Sequence, residues 1–196
     1  MEVHGALAIA QPAAARDDQY LVALAVGSQD TAAFGELIRR HQSHVRNFLR
    51  KLTAGSIDEA DDLAQECFLR AWDKLQTYSG RGSFIGWLLK VAYTTFLQSK
   101  RKSKRYAEVL DEAGHVADLE SRSYTQDSEE VSDLEKLLAV LTDEERAIMV
   151  MSYACGLSHR EIGEATGLPV GTVKSVIFRG KEKIRNRFDI KDHQHG

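Results

Sequence analysis

The chain has 196 residues, of which 43% are hydrophobic and 28% are charged. This balance is typical of folded globular proteins and excludes a wholly disordered chain. The length is enough for one medium domain or two small ones. No uncharged run approaches the roughly 20 residues of a membrane-spanning helix, and the first residues lack the features of a signal peptide. We therefore predict a cytoplasmic protein without membrane insertion.

The net charge of −3 conceals three stretches of opposite sign. Residues 90–105 contain six Lys or Arg and no acid, whereas residues 107–135 contain ten acids and one base. Residues 170–188 again contain six bases and one acid. Two separated basic stretches favour two contacts with a polyanion such as nucleic acid. Because charged runs are also ordinary solvated helix faces, the charge pattern alone leaves both interpretations open.

Helical patterns begin after an alanine-rich start. Residues 1–16 lack helix caps and are predicted to form a flexible tail. A first helix is predicted around residues 18–26, before Gly27. Apolar residues at steps of three and four, from Phe34 to Leu52, then predict a second, amphipathic helix.

Two further helices are predicted in the first half of the chain. An apolar stripe over residues 63–75 follows an acidic start, and acids suit the positive end of a helix dipole. Glycines in residues 78–83 predict a loop. A denser apolar helix is then predicted from about residue 84 to residue 99, ending at the basic cluster 100–105.

The second half opens on an acidic segment without periodicity, residues 107–129, which is typical of a linker. Helical patterning returns near Glu130. Thr142 and Ser158 each precede a glutamate by three residues, which predicts two capping boxes. The last helix, residues 171–188, is basic.

We therefore predict an all-α fold of two small helical domains joined by an acidic flexible linker. The predicted domains are 17–106 and 130–190, with a short tail at 191–196. Cys67 and Cys155 lack CxxC spacing and lie in apolar patterns, so we predict reduced core cysteines. No nucleophile–base pair, metal-ligand set or phosphate-binding loop is evident, so we predict no catalytic residue, no metal and no cofactor.

Residues 158–179 have the layout of a helix-turn-helix. A short capped helix is followed by the turn 167–170 and then by a basic helix, whose first turns reach base edges in the major groove in this motif. The predicted DNA contacts are Thr172, Lys174, Ser175, Arg179, Lys181 and Lys183. Lys181 and Lys183 lie further along the helix and suit phosphates. A three-helix packing motif without DNA is the alternative.

Three segments resemble a known family. GLSHREIGEATGLPVGTVKSVIFRGKEKIR, residues 156–185, closely resembles the C-terminal promoter-reading domain of bacterial sigma factors, in particular the extracytoplasmic-function (ECF) group of the sigma-70 family. DEADDLAQECFLRAW, residues 58–72, resembles their polymerase-clamp segment. GSFIGWLLKVAYTTFLQSKRKSKR, residues 82–105, resembles the segment that recognises and melts the −10 element. The resemblance covers about residues 20–106 and 130–188.

The resemblance implies a non-enzymatic initiation factor that binds the clamp and flap regions of core RNA polymerase. Promoter DNA would be double-stranded at −35 and single-stranded at −10, and an anti-sigma protein is implied as a further partner. The clamp contacts would be Asp61, Asp62, Leu63, Gln65, Glu66 and Leu69. The −10 contacts would be Arg81, Tyr93, Thr94, Gln98, Arg101, Lys102, Lys104 and Arg105. Aromatic faces in this region suit unstacked bases.

Some features leave alternatives open. The acidic linker could imitate nucleic acid in a polymerase channel or serve only as a tether. Val176 stands where an Arg is frequent in the family, and Gly180 replaces a common Ala, so no promoter consensus is transferred. A helix-turn-helix repressor would explain the second domain alone. A sigma mimic that titrates an anti-sigma protein would not need the bases at Lys174 and Arg179.

Overall fold

The computed structural model describes residues 17–112 and 133–188. Within these residues the chain forms eight α-helices and a 3₁₀ turn, with no strand, which confirms the all-α prediction. The helices are α1 Asp18–Gly27, α2 Thr31–Leu52, α3 Ile57–Lys74, α4 Phe84–Glu112, α5 Asp133–Ala139, α6 Asp143–Tyr153, α7 His159–Thr166 and α8 Val170–Phe188, and the 3₁₀ turn is Leu75–Thr77.

Helices α1 to α4 form the first helical unit. Asp17, Asp30 and Ser56 begin the first three helices, because each side chain accepts a hydrogen bond from a backbone N–H of the following turn. Such caps satisfy donors that have no partner inside the helix. The apolar stripes predicted from the sequence then meet in one core, in which Phe48 and Phe96 are among the largest fully buried side chains.

Helix α4 is longer than predicted. The structure continues it to Glu112, so the predicted end near residue 99 is wrong. Residues 100–112 contain neither Gly nor Pro, and Lys, Arg, Ala and Glu are all good helix formers. The first residues of the predicted linker, 107–112, are therefore helical. The rest of that linker and both predicted tails lie outside the described residues.

Helices α5 to α8 form the second unit, and both predicted capping boxes are present. Thr142 and Glu145 cap α6, and Ser158 and Glu161 cap α7, in each case through reciprocal side-chain and backbone hydrogen bonds. Gly167 ends α7 with a φ of 79°, which glycine adopts without a steric penalty. The chain then turns through Leu168 and Pro169 into α8, completing the predicted helix-turn-helix.

Both cysteines are free thiols, as predicted. Cys67 is fully buried, and burial raises its pKa to about 12. Cys155 is half-buried, and burial raises its pKa to about 11. Both groups therefore remain in the thiol form, which is a poor nucleophile. Among the described helices, none is long and apolar enough to span a membrane.

Two glycines in the second unit predict opposite effects of the same substitution. A Cβ at Gly180 would lie 3.2 Å from Met149 Sδ, and a Cβ at Gly163 would lie 2.8 Å from the backbone oxygen of Leu168. Met149 is flexible and can move, so Gly180→Ala should gain most of the ~1 kcal/mol that alanine adds in a helix. Leu168 O cannot move without distorting the turn, so Gly163→Ala should be destabilising.

Thermal unfolding of the two variants tests this contrast. We expect the Tm to rise by about 2–4 °C for Gly180→Ala, as for ~1 kcal/mol in a chain of this size, and to fall for Gly163→Ala. Equal shifts in the same direction would contradict the packing described for these two glycines.

The two units pack against each other: α4 lies on α7, and α2 lies on α6. Arg146 of α6 donates from Nη1 to the backbone oxygen of Leu52, at the end of α2, at 3.3 Å. Ser83, just before α4, donates to Glu161 Oε1 of α7 at 2.6 Å. The second unit therefore covers one end of the first.

Candidate nucleic-acid interface

Helix α8 presents a polar face to solvent. Its opposite side is buried and comprises Val173, Val176, Ile177 and Gly180, which face α6 and α7. Four predicted DNA contacts are exposed on the other side: Thr172, Lys174, Ser175 and Arg179. The apolar side thus fixes which residues α8 can offer to a DNA groove.

Phe178 stands in the middle of this exposed face and was missed by the sequence analysis. Its side chain is 66% exposed, four residues after Lys174 and three after Ser175, and therefore on the same side of the helix. An aromatic ring at this position can contact a thymine methyl group. The position of Phe178 on the helix, opposite to Val173 and Ile177, could have indicated its exposure. Its apolar character could not.

The two lysines predicted as phosphate contacts differ. Lys183 Nζ contacts both carboxylate oxygens of Glu145 at 2.7 and 2.8 Å. It joins α8 to α6 through an exposed ion pair, and its predicted contact with phosphates stays a prediction. Lys181 is exposed, with its ammonium group 5.0 Å from the ring centroid of Tyr153, and stays available at the surface.

Four predicted −10 contacts form one stripe along α4. Thr94, Gln98, Arg101 and Arg105 follow one another at steps of four, three and four, which places them on one side of a helix. Gln98 and both arginines are exposed, and Thr94 is partly exposed. Gln98 Oε1 accepts a hydrogen bond from Arg70 of α3. Lys102 and Lys104 are also exposed, but they lie beside this stripe rather than on it.

A groove between α3 and α4 continues the stripe toward the start of α4. Arg70 and Lys74 of α3 and Lys90, Trp87 and Thr94 of α4 line it, and its volume is about 360 Å³. Cations beside an aromatic ring are typical of surfaces that bind single-stranded nucleic acid. Arg70, Lys74 and Lys90 were not predicted as contacts because they come from two helices, and only Lys90 belongs to a basic stretch of the sequence.

Tyr93 is not on this stripe. It is only 5% exposed, and its pKa is raised to about 12, first by burial and then by the carboxylates of Glu144 and Asp143. Those two acids belong to α6, so Tyr93 lies near the junction of the two units. The prediction that Tyr93 contacts −10 DNA is corrected: in this structure its ring is packed inside.

The loop at residues 78–83 is short and ordered by local contacts. Gly80 and Gly82 have φ values of 72° and 77°, and the Tyr78 hydroxyl donates to the Gly82 backbone oxygen at 3.0 Å. The Tyr78 ring also packs edge-on against Phe84, with centroids 5.5 Å apart. Arg81 is exposed at the loop tip. Two glycines in the left-handed region therefore bring an arginine and an aromatic ring to one edge of the first unit.

The predicted clamp face on α3 is exposed except at two positions. Asp62, Gln65 and Glu66 are exposed, and Leu69 is 71% exposed. Asp61 is half-buried and pairs with Arg46 of α2. Leu63 is 4% exposed, so its predicted role as a contact is corrected to a core residue. An exposed leucine ringed by polar groups suits a protein contact.

In residues 17–112 and 133–188, no group of His, Cys, Asp or Glu is placed to hold a metal ion.

Comparison with known proteins shows the family to which this chain belongs. Residues 37–106 match the protein family "Sigma-70 region 2". Residues 132–184 match the family "Sigma-70, region 4". The chain is 31% identical over 172 residues to "ECF RNA polymerase sigma factor SigW" of Bacillus subtilis, covering 82% of this chain and 90% of that protein. The chain belongs to the ECF sigma factors of the sigma-70 family. It is accordingly an alternative sigma factor, which acts with core RNA polymerase and promoter DNA in transcription initiation.

Other relatives agree. The ECF RNA polymerase sigma factor SigE of Mycolicibacterium smegmatis is 35% identical over 158 residues, which cover 79% of this chain and 61% of that longer relative. Two solved structures share the fold. The sigma factor RpoE of Bartonella quintana, in complex with the anti-sigma factor NepR, has a TM-score of 0.65 at 23% identity and covers 81% of this chain and 98% of its own. CnrH, in complex with the cytosolic domain of CnrY, has a TM-score of 0.64 at 24% identity and covers 89% of this chain and 99% of its own.

Proposed function

We propose that this ECF sigma factor divides promoter recognition between its two helical units. Helix α8 reads the −35 element as duplex DNA, with Lys174, Ser175, Phe178 and Arg179 at base edges. The loop at residues 78–83 and the stripe on α4 hold the −10 element as a single strand. The observation that carries this proposal is the exposed basic face of α8, opposite a buried apolar side.

The cationic groove between α3 and α4 supports the second half of the proposal. Single-stranded DNA is held by cations along its backbone and by aromatic faces on which bases stack. Arg70, Lys74 and Lys90 supply the cations, and Trp87 supplies an aromatic ring at the same groove. The groove adjoins Thr94 and leads to Arg101, so one strand can follow it from the loop to the basic end of α4.

The remaining partners follow from the exposed face of α3 and from the relatives. We propose that Asp62, Gln65, Glu66 and Leu69 contact the polymerase clamp, and that the second unit contacts the flap region. An anti-sigma protein is proposed as a further partner, since both solved relatives named above are complexes with a partner protein. The site of action is then the cytoplasm, where core polymerase works, and the role is non-enzymatic.

Co-elution with bacterial core RNA polymerase on size exclusion tests the proposal. We expect stoichiometric co-elution of the wild-type chain and promoter-directed transcripts from the resulting holoenzyme. Leu69→Asp should weaken polymerase binding by about 2 kcal/mol, as for a central interface residue, because a charge would replace the exposed apolar centre of the face. Val26→Asp, at an exposed apolar residue of α1, is the matched control and should bind normally. A folded wild-type chain that does not co-elute would contradict the proposal.

A further inference from the structure

The amide group of Gln98, on the stripe along α4, is held in one orientation by a residue of α3. Arg70 donates from Nη1 to Gln98 Oε1. A guanidinium carries only hydrogen-bond donors, so the atom of Gln98 that faces Arg70 is the oxygen and not the nitrogen. This contact leaves the two amide N–H donors as the groups that Gln98 can offer to a ligand.

Arg70 is itself fixed by a second contact within α3. Its Nη2 donates to Glu66 Oε1, one turn earlier on the same helix. The side chain of Arg70 is 31% exposed and lines the groove between α3 and α4. A carboxylate has two oxygens, so Glu66 can hold Arg70 and also contact the polymerase clamp. The guanidinium is therefore placed between Glu66 and Gln98 by a hydrogen bond on each side.

A glutamine amide without such a contact can read adenine with both of its ends. Its N–H donates to adenine N7, and its oxygen accepts from the adenine N6 amino group. In this structure Oε1 of Gln98 already accepts from the cation of Arg70. Hydrogen bonds with a charged partner are roughly twice as strong as neutral ones. An adenine amino group would therefore compete poorly with Arg70 for this oxygen.

An amide that offers only donors favours bases that present carbonyl oxygens. Guanine presents O6 and N7, and thymine presents O4, and all three atoms accept hydrogen bonds. Adenine and cytosine carry an amino group, which is a donor, where guanine and thymine carry the carbonyl. Two donors that face each other leave both groups without a partner, which costs binding free energy. Gln98 held by Arg70 thus matches keto bases better than amino bases.

We propose that Arg70 is a positioning residue that makes Gln98 select a keto base, guanine or thymine, at one position of the −10 element. The inference rests on the proposed function, since it takes the stripe on α4 as the surface that holds this element. It adds the kind of base that Gln98 selects and the residue of α3 that determines the selection. Arg70 acts on the base through Gln98.

Gln98→Glu identifies the position that Gln98 reads. Wild-type and variant holoenzymes each select sequences from a promoter library randomised at −10, and the two selections are compared. A carboxylate only accepts hydrogen bonds and suits the amino group of cytosine. At one position we expect guanine or thymine for the wild type and an amino base for the variant. Each preference should be about tenfold, the usual size for a base contact.

Arg70→Met tests the positioning role at that same position. Fluorescence anisotropy measures how tightly each holoenzyme binds four promoters that differ only at this base. Without the guanidinium, Gln98 Oε1 can accept from adenine N6, so the roughly tenfold preference for keto bases over adenine should be lost. Arg70→Lys keeps a side chain with donors only and should restore most of this preference.

Lys74→Met is the matched control for the loss of charge. Lys74 lines the same groove, one turn after Arg70 on α3. Both methionine variants should bind all four promoters more weakly, but Lys74→Met should keep the preference for keto bases. The preference is a ratio measured within one holoenzyme, so weaker polymerase binding does not change it. Circular dichroism checks that every variant keeps its helices.

The outcomes separate this inference from the proposed function. A wild-type preference for an amino base at the position changed by Gln98→Glu would overturn the inference alone. A keto preference that survives Arg70→Met would do the same, as would a −10 selection that Gln98→Glu leaves unchanged. A wild-type holoenzyme that selects no −10 sequence would overturn the proposed division of promoter recognition together with the inference.

Discussion

Arg146→Met is expected to lower the free energy of unfolding by about 3 kcal/mol. The substitution keeps an unbranched side chain of similar reach but removes every donor, and a buried acceptor left without a partner costs about 1–3 kcal/mol. Three backbone oxygens lose this donor, those of Leu52, Leu138 and Leu141. Chemical denaturation followed by circular dichroism measures the loss.

Arg160→Met is the matched control for that loss. Arg160 lies on α7, where it is exposed and pairs with Glu164 at 3.0 Å, and exposed ion pairs contribute only about 0–1 kcal/mol. We expect its unfolding midpoint to stay close to that of the wild type. If Arg146→Met lowered the free energy of unfolding as little as Arg160→Met, the contacts of Arg146 with backbone carbonyls would not stabilise the packing of the two units.

Lys174→Ala and Arg179→Ala are each expected to cost about 1–3 kcal/mol of binding at a cognate −35 duplex, the usual size for a base contact. Both side chains are exposed on the face of α8 that carries Phe178. The cognate duplex is first selected by the wild-type holoenzyme from a library randomised at −35. Fluorescence anisotropy then compares how tightly the wild-type and variant holoenzymes bind the selected duplex and a scrambled one.

Lys183→Ala separates base reading from general charge in this assay. Its ammonium group is held by Glu145, so its removal should change DNA binding little. Losses for Lys174→Ala and Arg179→Ala that are equal on both duplexes would assign those residues to phosphates. A loss for Lys183→Ala as large as theirs would contradict the pairing seen on α8.

Local patterns predicted the helices and the helix-turn-helix well. Thr142 with Glu145 and Ser158 with Glu161 begin helices through contacts three residues apart, so the sequence contains the whole signal. The end of α4 predicted at the basic cluster 100–105 is wrong. Lysine and arginine are good helix formers, and no glycine or proline ends the helix there.

Features that depend on distant contacts were not predictable in this way. Ser83 and Glu161 are 78 residues apart, and nothing near either residue indicates their contact. A tyrosine can lie at the surface or inside a protein, so its type does not indicate burial. Tyr93 is buried where α6 comes near α4. Phe178 shows the opposite case, since it is apolar and yet its position on the helix places it in solvent.

The helical continuation of α4 limits how many of its charges one DNA strand can meet. In an extended segment, the five bases from Lys100 to Arg105 could all follow a single backbone. On a helix successive residues point about 100° apart, so Arg101 and Arg105 share one side while Lys102 diverges from Lys100 and Lys104. Lys100 also lies 3.7 Å from Glu59 of α3. One strand therefore meets about three of these bases, and counterion release on binding is that of about three phosphates rather than five.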